Sequence, residues 1–407
     1  MSSRWLSIVG VGEDGRAGLS AAANSLIDSA ELVIGGQRHL DLIGVTTGRQ
    51  LKWLTPLDAT VAEILALRGR PVVVLASGDP FWFGAGVTIA RSIPAEEMLV
   101  LPSPSSFSLA ASRLCWPLQD VETLGLNMRG LVPLLRRHVH DGRKIIALAL
   151  NGETPREVAA LLASAGYGPS RIAVMEALGG PRERIRHTTA EGFDLDSVDP
   201  LNVIGIDVVA GPDASPIPYS CGLPDDYFES DGQLTKREFR AVTLSSLRPS
   251  PGALLWDVGV GSGSIGIEWL LAHRANRAIG IERDDVRAAR AERNAVALGV
   301  PHFDIRRGPA PEAFAELPAP DAIFIGCGTD GGKAIEAAWT ALKPGGRIVV
   351  NSVTLESEQA LIAAYHLHGG TLTRLSAERA EPIGRRMAWR PALPVVQWVC
   401  VKPASTT

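Results

Sequence analysis

Short apolar runs alternating with stretches of helical spacing divide this chain into two successive patterns. In the first, Trp5–Val9, Glu31–Ile34, Pro71–Ala76, Met98–Leu101, Lys144–Leu150 and Asn202–Val209 read as strands, being brief, rich in β-branched residues and bounded by turn formers. Val61–Arg68, Phe107–Leu114 and Arg156–Ala165 carry apolar residues at helical spacing. The order predicts an α/β fold. The pattern breaks at Ala210–Pro218, a Pro-rich segment of linker composition. A helix near Thr235–Leu247 opens the second pattern, and Leu254–Val258, Ala278–Ile281, Phe303–Arg306, Ala322–Ile325 and Arg347–Asn351 follow as strands. Two late runs, Thr371–Leu375 and Val395–Val401, have no obvious helix between them and suit an antiparallel hairpin closing a parallel sheet. The expected domains are therefore residues 1–212 and 213–407.

Length agrees, since 407 residues exceed one ordinary domain. A hydrophobic fraction of 46% with 21% charged residues leaves each half enough apolar surface for its own core, and disorder is not expected. The net charge of −4 lacks the basic footprint of phosphate-backbone binding, so a nucleic-acid partner is disfavoured. No apolar run approaches the roughly 20 residues of a membrane span, and no charged-then-apolar leader opens the sequence. Cys115, Cys221, Cys327 and Cys400 have neither CxxC spacing nor disulfide-framework density. They are expected to be reduced, buried thiols of a cytoplasmic protein, and no metal site is expected.

The densest candidate chemistry is Trp256-Asp257-Val258-Gly259-Val260-Gly261-Ser262-Gly263, where an apolar strand ends and a helix begins near Ile265. Glycines there let the backbone approach a ligand, and the free N–H groups of a helix start offer hydrogen bonds. Glu282 ends the next strand, placed to accept bonds from ribose hydroxyls. Gly261-x-Gly263-x-x-Gly266 is formally a dinucleotide fingerprint, so these residues alone leave a nicotinamide site, another nucleoside site and a bare turn open.

Asp257 and Gly259 extend the pattern to Asp-x-Gly-x-Gly-x-Gly, which resembles the first motif of class I S-adenosylmethionine methyltransferases. Leu234–Glu238, Ile281-Glu282-Arg283, Gly308–Glu312, Phe324-Ile325-Gly326 and Val349–Glu356 follow the order of the decarboxylating precorrin methyltransferases that act at C-15, over residues 222–403. That resemblance implies a Rossmann-like fold in which Thr235, Gly259, Val260, Gly261, Ser262, Gly263, Glu282 and the backbone at Ala310 surround S-adenosyl-L-methionine. A helix N-cap is the alternative role for Thr235.

In the first half, Val9-Gly10-Val11-Gly12, Leu75–Pro80 and Pro102–Phe107 are turn clusters at strand ends. Their order resembles the tetrapyrrole methylase family, and Gly35–Leu40 with Glu176–Pro181 narrows the likeness to the branch methylating C-5, over residues 5–209. The likeness implies a two-lobed fold holding the cofactor between its lobes, with Gly10, Asp79, Ser105 and Ser106 as contacts. Asn127 stands where that family commonly has a histidine, and Asn151 where an aspartate often follows the strand. The two resemblances together imply methylation of a precorrin-6 ring at C-5 and C-15 with decarboxylation of its C-12 acetate, in cobalamin biosynthesis.

The substrate so implied is a polycarboxylate tetrapyrrole, and planar bidentate arginine suits its carboxylates. Arg379, Arg385, Arg386 and Arg390 crowd a Pro/Gly-broken loop and are the substrate-clamp candidates, with solvated surface charge as the alternative. Arg38 and His39 are the counterparts in the first half, although a lone histidine more often has a structural role. No side chain is singled out as catalytic. A homo-oligomer is the expected assembly. One rival is a class I enzyme acting on RNA; it is weakened because Gly326-Cys327-Gly328-Thr329 replaces the Asn/Asp-Pro-Pro-Tyr of amino-group methylation. Another rival is a tetrapyrrole-binding carrier fused to a single active methyltransferase.

Separately produced fragments 1–212 and 219–407 are each expected to melt cooperatively. Thermal unfolding followed by circular dichroism checks this, and two fragments without a transition would place the boundary elsewhere.

Overall fold

The computed structural model describes residues 4–326 and 332–404. Cys327-Gly328-Thr329, which bore on the RNA reading, lies outside the described residues. The chain divides into two compact units: Met1–Val132 with His138–Ser215, and Pro133–Arg137 with Pro216–Thr407.

The first lobe of the first unit is a parallel sheet of β1 (Leu6–Val11), β2 (Leu32–Gly35), β3 (Arg49–Lys52), β4 (Val72–Ser77) and β5 (Met98–Leu101), ordered β3-β2-β4-β1-β5. Helices α1 (Ala21–Ser29), α2 (Gln37–Ile43), α3 (Leu57–Ala66) and α4 (Gly86–Ile89) belong to it. Both faces are buried: Leu6, Ile8, Val72 and Val74 enter one core, Val9, Val11, Val73 and Leu75 the other. Continuous apolar runs are what a doubly covered parallel sheet demands. The second lobe contains α5 (Ser106–Leu114), β6 (Val121–Gly125), β7 (Lys144–Leu148), α6 (Thr154–Ser164), β8 (Arg171–Glu176), β9 (Arg184–Thr189) and β10 (Asn202–Asp207). Its sheet is mixed, in the order β6-β7-β10-β8-β9, with only β6 and β7 parallel. Phe107, Ala110 and Ala111 of α5 pack on it against Ile146, Met175 and Val203. The polar spacing of α5 follows from this one-sided burial.

The second unit is a seven-stranded sheet: β11 (Leu254–Val258), β12 (Arg277–Glu282), β13 (Asp304–Arg307), β14 (Ala322–Ile325), β15 (Arg347–Ser352), β16 (Thr371–Leu375) and, after a hairpin of β17 (Glu378–Ile383) and β18 (Arg386–Pro391), β19 (Val395–Val401). Its order is β13-β12-β11-β14-β15-β19-β16. The first five strands run parallel, and β19 is antiparallel to both β15 and β16. Helices α7 (Arg237–Leu247), α8 (Ser264–Ala272), α9 (Asp285–Ala297), α10 (Lys333–Ala341) and α11 (Leu355–His368) complete it. The antiparallel closure agrees with the pattern of the late runs. The segment between them does not: the expected Pro/Gly-broken loop is the paired hairpin β17–β18, because Gly384 supplies the left-handed turn (φ 64) while Pro382 and Pro391 sit in a two-stranded ladder with free edges.

Three further expectations need correction. Lys236, not Thr235, occupies the N-cap of α7 with extended backbone, so Thr235 lies one residue too early to cap. Cys115 and Cys221 are exposed and only Cys400 is buried; Cys115 ends α5 in the left-handed conformation (φ 53), where the chain turns outward. Cys327 lies outside the described residues. Strands β3, β6, β8 and β9 also escaped the pattern of apolar runs. Among the described residues no helix is long and apolar enough to cross a membrane.

One buried ion network ties the segment before α7 to the core. Arg240 is fully buried; its Nε donates to Glu268 Oε1 at 2.5 Å and its Nη1 to Asp225 Oδ1 at 3.1 Å. It also donates to the carbonyls of Thr235 and Leu223, and lies 4.8 Å from the Phe228 ring. Glu268 additionally accepts from the Gly222 and Leu223 N–H groups at 2.6 and 3.1 Å. With nearly all its hydrogen-bonding capacity met, the pair tolerates burial, but removing one member strands a charge. Arg240→Ala is expected to destabilise the second unit by about 3–5 kcal/mol, measured by urea unfolding.

Candidate functional sites

Three strand-end loops meet in the first unit through bare backbone. A Cβ on Gly10 would lie 1.9 Å from the Gly78 carbonyl oxygen and 2.6 Å from the Ser103 nitrogen. One on Gly78 would lie 2.9 Å from the Pro104 oxygen. Ser103 N–H donates to Gly78 O at 3.1 Å, and Ser103 Oγ to Gly10 O at 2.8 Å. Only glycine allows this approach. Gly10 is not among the cavity-lining residues: its observed work is to close-pack the floor of the site.

Above that floor lies a cavity of about 320 Å³, lined among others by Glu13, Arg38, His39, Ser77, Asp79, Trp82, Phe83, Ser105, Ser106, Asn127 and Asn202. Asp79, Ser105 and Ser106, expected as cofactor contacts, and Arg38, expected as a substrate contact, thus line one cavity. Ser105 caps α5, accepting from Ser108 N–H at 3.1 Å. Asp79 Oδ1 accepts from Phe81 N–H at 2.9 Å. Arg38 pairs with Glu13 and donates to Ser77 Oγ at 2.9 Å. Arg38 Nη2 lies 3.0 Å from His39 Nε2, and since a guanidinium only donates, that ring nitrogen is the acceptor. Ser77 Oγ lies 2.9 Å from the same nitrogen. Burial and the adjacent Arg38 charge pull His39 down to about 4, so it is neutral near pH 7.

Asn202 was not anticipated. Its amide donates to the Asn151 and Asp199 carbonyls at 3.0 and 2.9 Å, leaving a buried Oδ1 with no hydrogen-bond partner in the cavity wall. Such an oxygen fits a ligand N–H donor. It lies too far along the chain from the glycine and serine clusters for any spacing rule to connect them. Asn151 itself accepts from the Glu153 and Thr154 N–H groups at 2.9 and 3.2 Å and so shapes the start of α6, whereas Asn127 faces the cavity.

In the second unit Gly259, Gly261 and Gly263 all have left-handed φ, of 78°, 58° and 81°. A Cβ on Gly261 would meet nothing nearer than 3.9 Å, so glycine there answers to conformation and leaves open space beside the loop. On Gly266 a Cβ would lie 2.2 Å from the Phe303 ring, which makes the last fingerprint glycine a packing residue. Val260 and Ser262 are buried, and Ser262 Oγ has no partner. Glu282 accepts from Gly261 N–H at 2.9 Å and Asp284 N–H at 3.0 Å. One bond to each oxygen leaves each a lone pair, so the carboxylate still suits vicinal hydroxyls. Gly308 N–H donates to the Glu282 carbonyl at 2.9 Å, bringing the Ala310 turn to the same strand end. Half-buried Thr235 ends the segment whose Gln233 oxygen lies nearest to the Gly261 position, at 3.9 Å from its added Cβ. The arrangement fits a nucleoside.

The four candidate clamp arginines do not converge. Arg379 pairs with Asp225 at 3.0 Å and Glu238 at 2.7 Å, and Arg390, its cross-strand neighbour, with Glu381 at 3.0 Å. Arg385 and Arg386 lie exposed at the hairpin turn. Like charges facing each other across β17–β18 are thereby compensated by acids.

Two family models match the chain: Tetrapyrrole (Corrin/Porphyrin) Methylases over residues 6–194 and the Precorrin methyltransferase domain over 226–402. A Sinorhizobium protein named precorrin-6Y C(5,15)-methyltransferase [decarboxylating] is 51% identical over 401 residues, covering 98% of this chain and 97% of its own. This chain belongs to that family. A Mycobacterium tuberculosis (strain CDC 1551 / Oshkosh) member of the precorrin-6Y C(5,15)-methyltransferases is 39% identical over 97% of this chain and 99% of its own. The crystal structure of the C-terminal domain of the Rhodobacter capsulatus member is 42% identical, covering 46% of this chain and 100% of that one, with a TM-score of 0.43. Methyltransferase membership weighs against the nicotinamide reading of the glycine loop.

Asp257, the first residue of that motif, is buried beneath the loop and accepts from Gly266 N–H at 2.8 Å. Burial raises it to about 7, with the Glu282 charge adding to the effect and the Gly266 bond opposing it. A raised carboxyl stabilises the fold below its unfolded value near 4, and that contribution is lost as pH climbs through about 7. Asp257→Asn keeps an acceptor and cannot ionise. Thermal melts of the variant are expected to gain on the wild type by roughly 1–3 kcal/mol at pH 8 and little at pH 4.

Proposed function

We propose that this chain methylates a precorrin-6 macrocycle at C-5 and C-15 and decarboxylates its C-12 acetate, in cobalamin biosynthesis, with S-adenosyl-L-methionine as methyl donor. The observation carrying this is the conjunction of both family models, in order, on a chain with a full-length relative at 51% identity bearing that name. The first unit takes the C-5 methylation and the second the C-15 methylation and decarboxylation. Separate relatives support the division: a Salmonella typhimurium cobalt-precorrin-7 C(5)-methyltransferase aligns over 192 residues, and archaeal probable cobalt-precorrin-6B C(15)-methyltransferases (decarboxylating) over about 150.

The sulfonium supplies the methyl group. In the second unit Gly259 and Gly261 offer close backbone approach, and Glu282 accepts ribose hydroxyls. Val260, Ser262, Gly263, Thr235 and Ala310 complete the enclosure. In the first, Ser105 and Ser106 present the start of α5, Asn202 Oδ1 accepts an amino group, and Gly10 keeps the floor close-packed. The protein's main task is to hold the ring carbon in line and exclude water, so no nucleophilic side chain is required. Loss of carbon dioxide leaves an electron pair that the conjugated macrocycle delocalises. Arg38 is the first-unit candidate for a substrate carboxylate, and Arg385 and Arg386 are better candidates than the acid-paired Arg379 and Arg390. The free cysteines fit a reducing, cytoplasmic setting.

Isotope-labelled methyl donor and mass spectrometry of the product test the division. Asp79→Ala is expected to yield a singly methylated, decarboxylated ring. Gly261→Val should lose carbon dioxide release together with one methyl. An Asp79 variant that keeps both methyls but fails to decarboxylate would reverse the assignment. A wild type adding a single methyl, with Asp79→Ala indistinguishable from it, would support the carrier reading of the first unit.

A further inference from the structure

The loop after β4 exposes aromatic surface in a way no core requires. Phe81, Trp82 and Phe83 are 44%, 38% and 54% exposed, and Met128 beyond the neighbouring strand is 67% exposed. Exposed large apolar residues are ordinary when scattered; a contiguous run at the edge of a cavity is not. Trp82 and Phe83 both line the cavity of the first unit.

The rings are held rigidly. Trp82 stacks on buried Phe107 with centroids 5.2 Å apart and planes at 27°, and Phe83 lies 5.8 Å from the same ring. Phe83 has φ 56, a left-handed conformation unfavourable for a bulky side chain. The loop beneath is wound too tightly to relax: Asp79 Oδ1 holds Phe81 N–H, Gly86 N–H donates to Pro80 O at 3.0 Å, and a Cβ on Gly84 would lie 2.5 Å from that oxygen. Across the loop, a Cβ on Gly125 would lie 2.9 Å from the Phe83 ring. Backbone strain is thus retained at a ring that stays about half exposed.

We propose that Trp82 and Phe83 form the apolar platform on which the tetrapyrrole macrocycle rests during methylation in the first unit. The proposal depends on the reading of that unit as a C-5 methyltransferase. A polycarboxylate macrocycle has a broad apolar face and a charged periphery. The same cavity offers both complements, aromatic surface at Trp82 and Phe83 and a guanidinium at Arg38. Adenine would be the other flat occupant, but it is small and suits an enclosed slot. The aromatic surface here continues outward through Phe81, more than a nucleobase covers. Asp79, whose bond to Phe81 N–H shapes the loop that carries the rings, also lines the cavity itself, so its loss reaches further than the loss of either ring.

Kinetics of the full chain with a precorrin-6 substrate and labelled donor test it, each mass change being followed separately. Phe83→Gly removes one ring and relieves the left-handed strain, which offsets the lost contact with Phe107, and thermal melts check that the variant is folded. Phe83→Gly and Trp82→Ala are expected to raise KM for the macrocycle in the C-5 transfer roughly threefold to tenfold each, the scale of an aromatic stacking contact. kcat, the inhibition constant of S-adenosylhomocysteine for that transfer, and the C-15 and decarboxylation steps should stay at wild-type values, and Trp82→Phe should restore KM. Unchanged KM in both ring-removing variants overturns the platform. Weakened S-adenosylhomocysteine inhibition with unchanged macrocycle KM gives the rings to adenine instead. A wild type that adds no methyl at C-5 overturns the underlying reading of the unit, and the platform with it.

Discussion

Everything else in the first unit depends on side-chain-free backbone at three strand ends. Gly10, Gly78 and the Ser103 nitrogen approach so closely that a single methyl group would collide with a carbonyl oxygen. With the floor closed at that distance, the ends of β1, β4 and β5 lie level, and the loops continuing from them rise together as cavity walls. The loop from β4 delivers Asp79, Trp82 and Phe83; the loop from β5 delivers Ser105 and the start of α5. The second unit uses glycine differently. Gly261 has open space beside it, whereas Gly266 is pressed against Phe303. One motif therefore contains a glycine that leaves open space beside its loop and another that seats a helix on its sheet.

Central strands were legible because burial on both faces forces an uninterrupted apolar run. β11, β14 and β19 fall on the segments their patterns predicted, and β5 and β16 do so too although each lies at a sheet edge. The edge strands β3 and β9 were not legible, since Arg49-Gln50-Leu51-Lys52 and Arg184–Thr189 have one neighbour each and carry polar side chains that solvent tolerates. β6, another edge, contributes only half-buried residues. β8 is different: Ile172–Met175 is a buried apolar run, and its strand signal was there to be read. Helix α7 was placed two residues early because Thr is the better capping residue, yet the chain is still held by Arg240 at the Thr235 carbonyl and turns helical only after Lys236.

Motif residues in the sites were legible for a similar reason: their constraint is local. Gly261 needs its own φ, and Ser105 bonds an N–H three residues on. Pairing across long sequence separation was not. Asn202 lines the first cavity from the far end of the unit, and Asp225 and Glu238 reach Arg379 across more than 140 residues. Spacing could show that arginines cluster near 379–390; it could not show that Asp225 and Glu238 already neutralise Arg379.

That difference decides how arginines can serve a polyanionic ligand. A guanidinium paired with an exposed carboxylate gains little from the pair, so exchange for another carboxylate is close to neutral and confers little selectivity. Arg390 is of this kind, and so is Arg379 in its pair with Glu238, although its other partner Asp225 is only 20% exposed. Arg38 is not, because its Glu13 partner is only 11% exposed and is reached by Arg182 as well, at 3.7 Å. Glu13 is therefore costly to leave without a cation, and Arg182 would keep it company if Arg38 turned toward the carboxylate proposed for it. In the proposed complex, aromatic surface at Trp82 and Phe83 would set where the ring lies, while a guanidinium that can change partners without stranding a buried charge would set which edge of the ring faces inward. Neither alone would fix the position of one meso carbon.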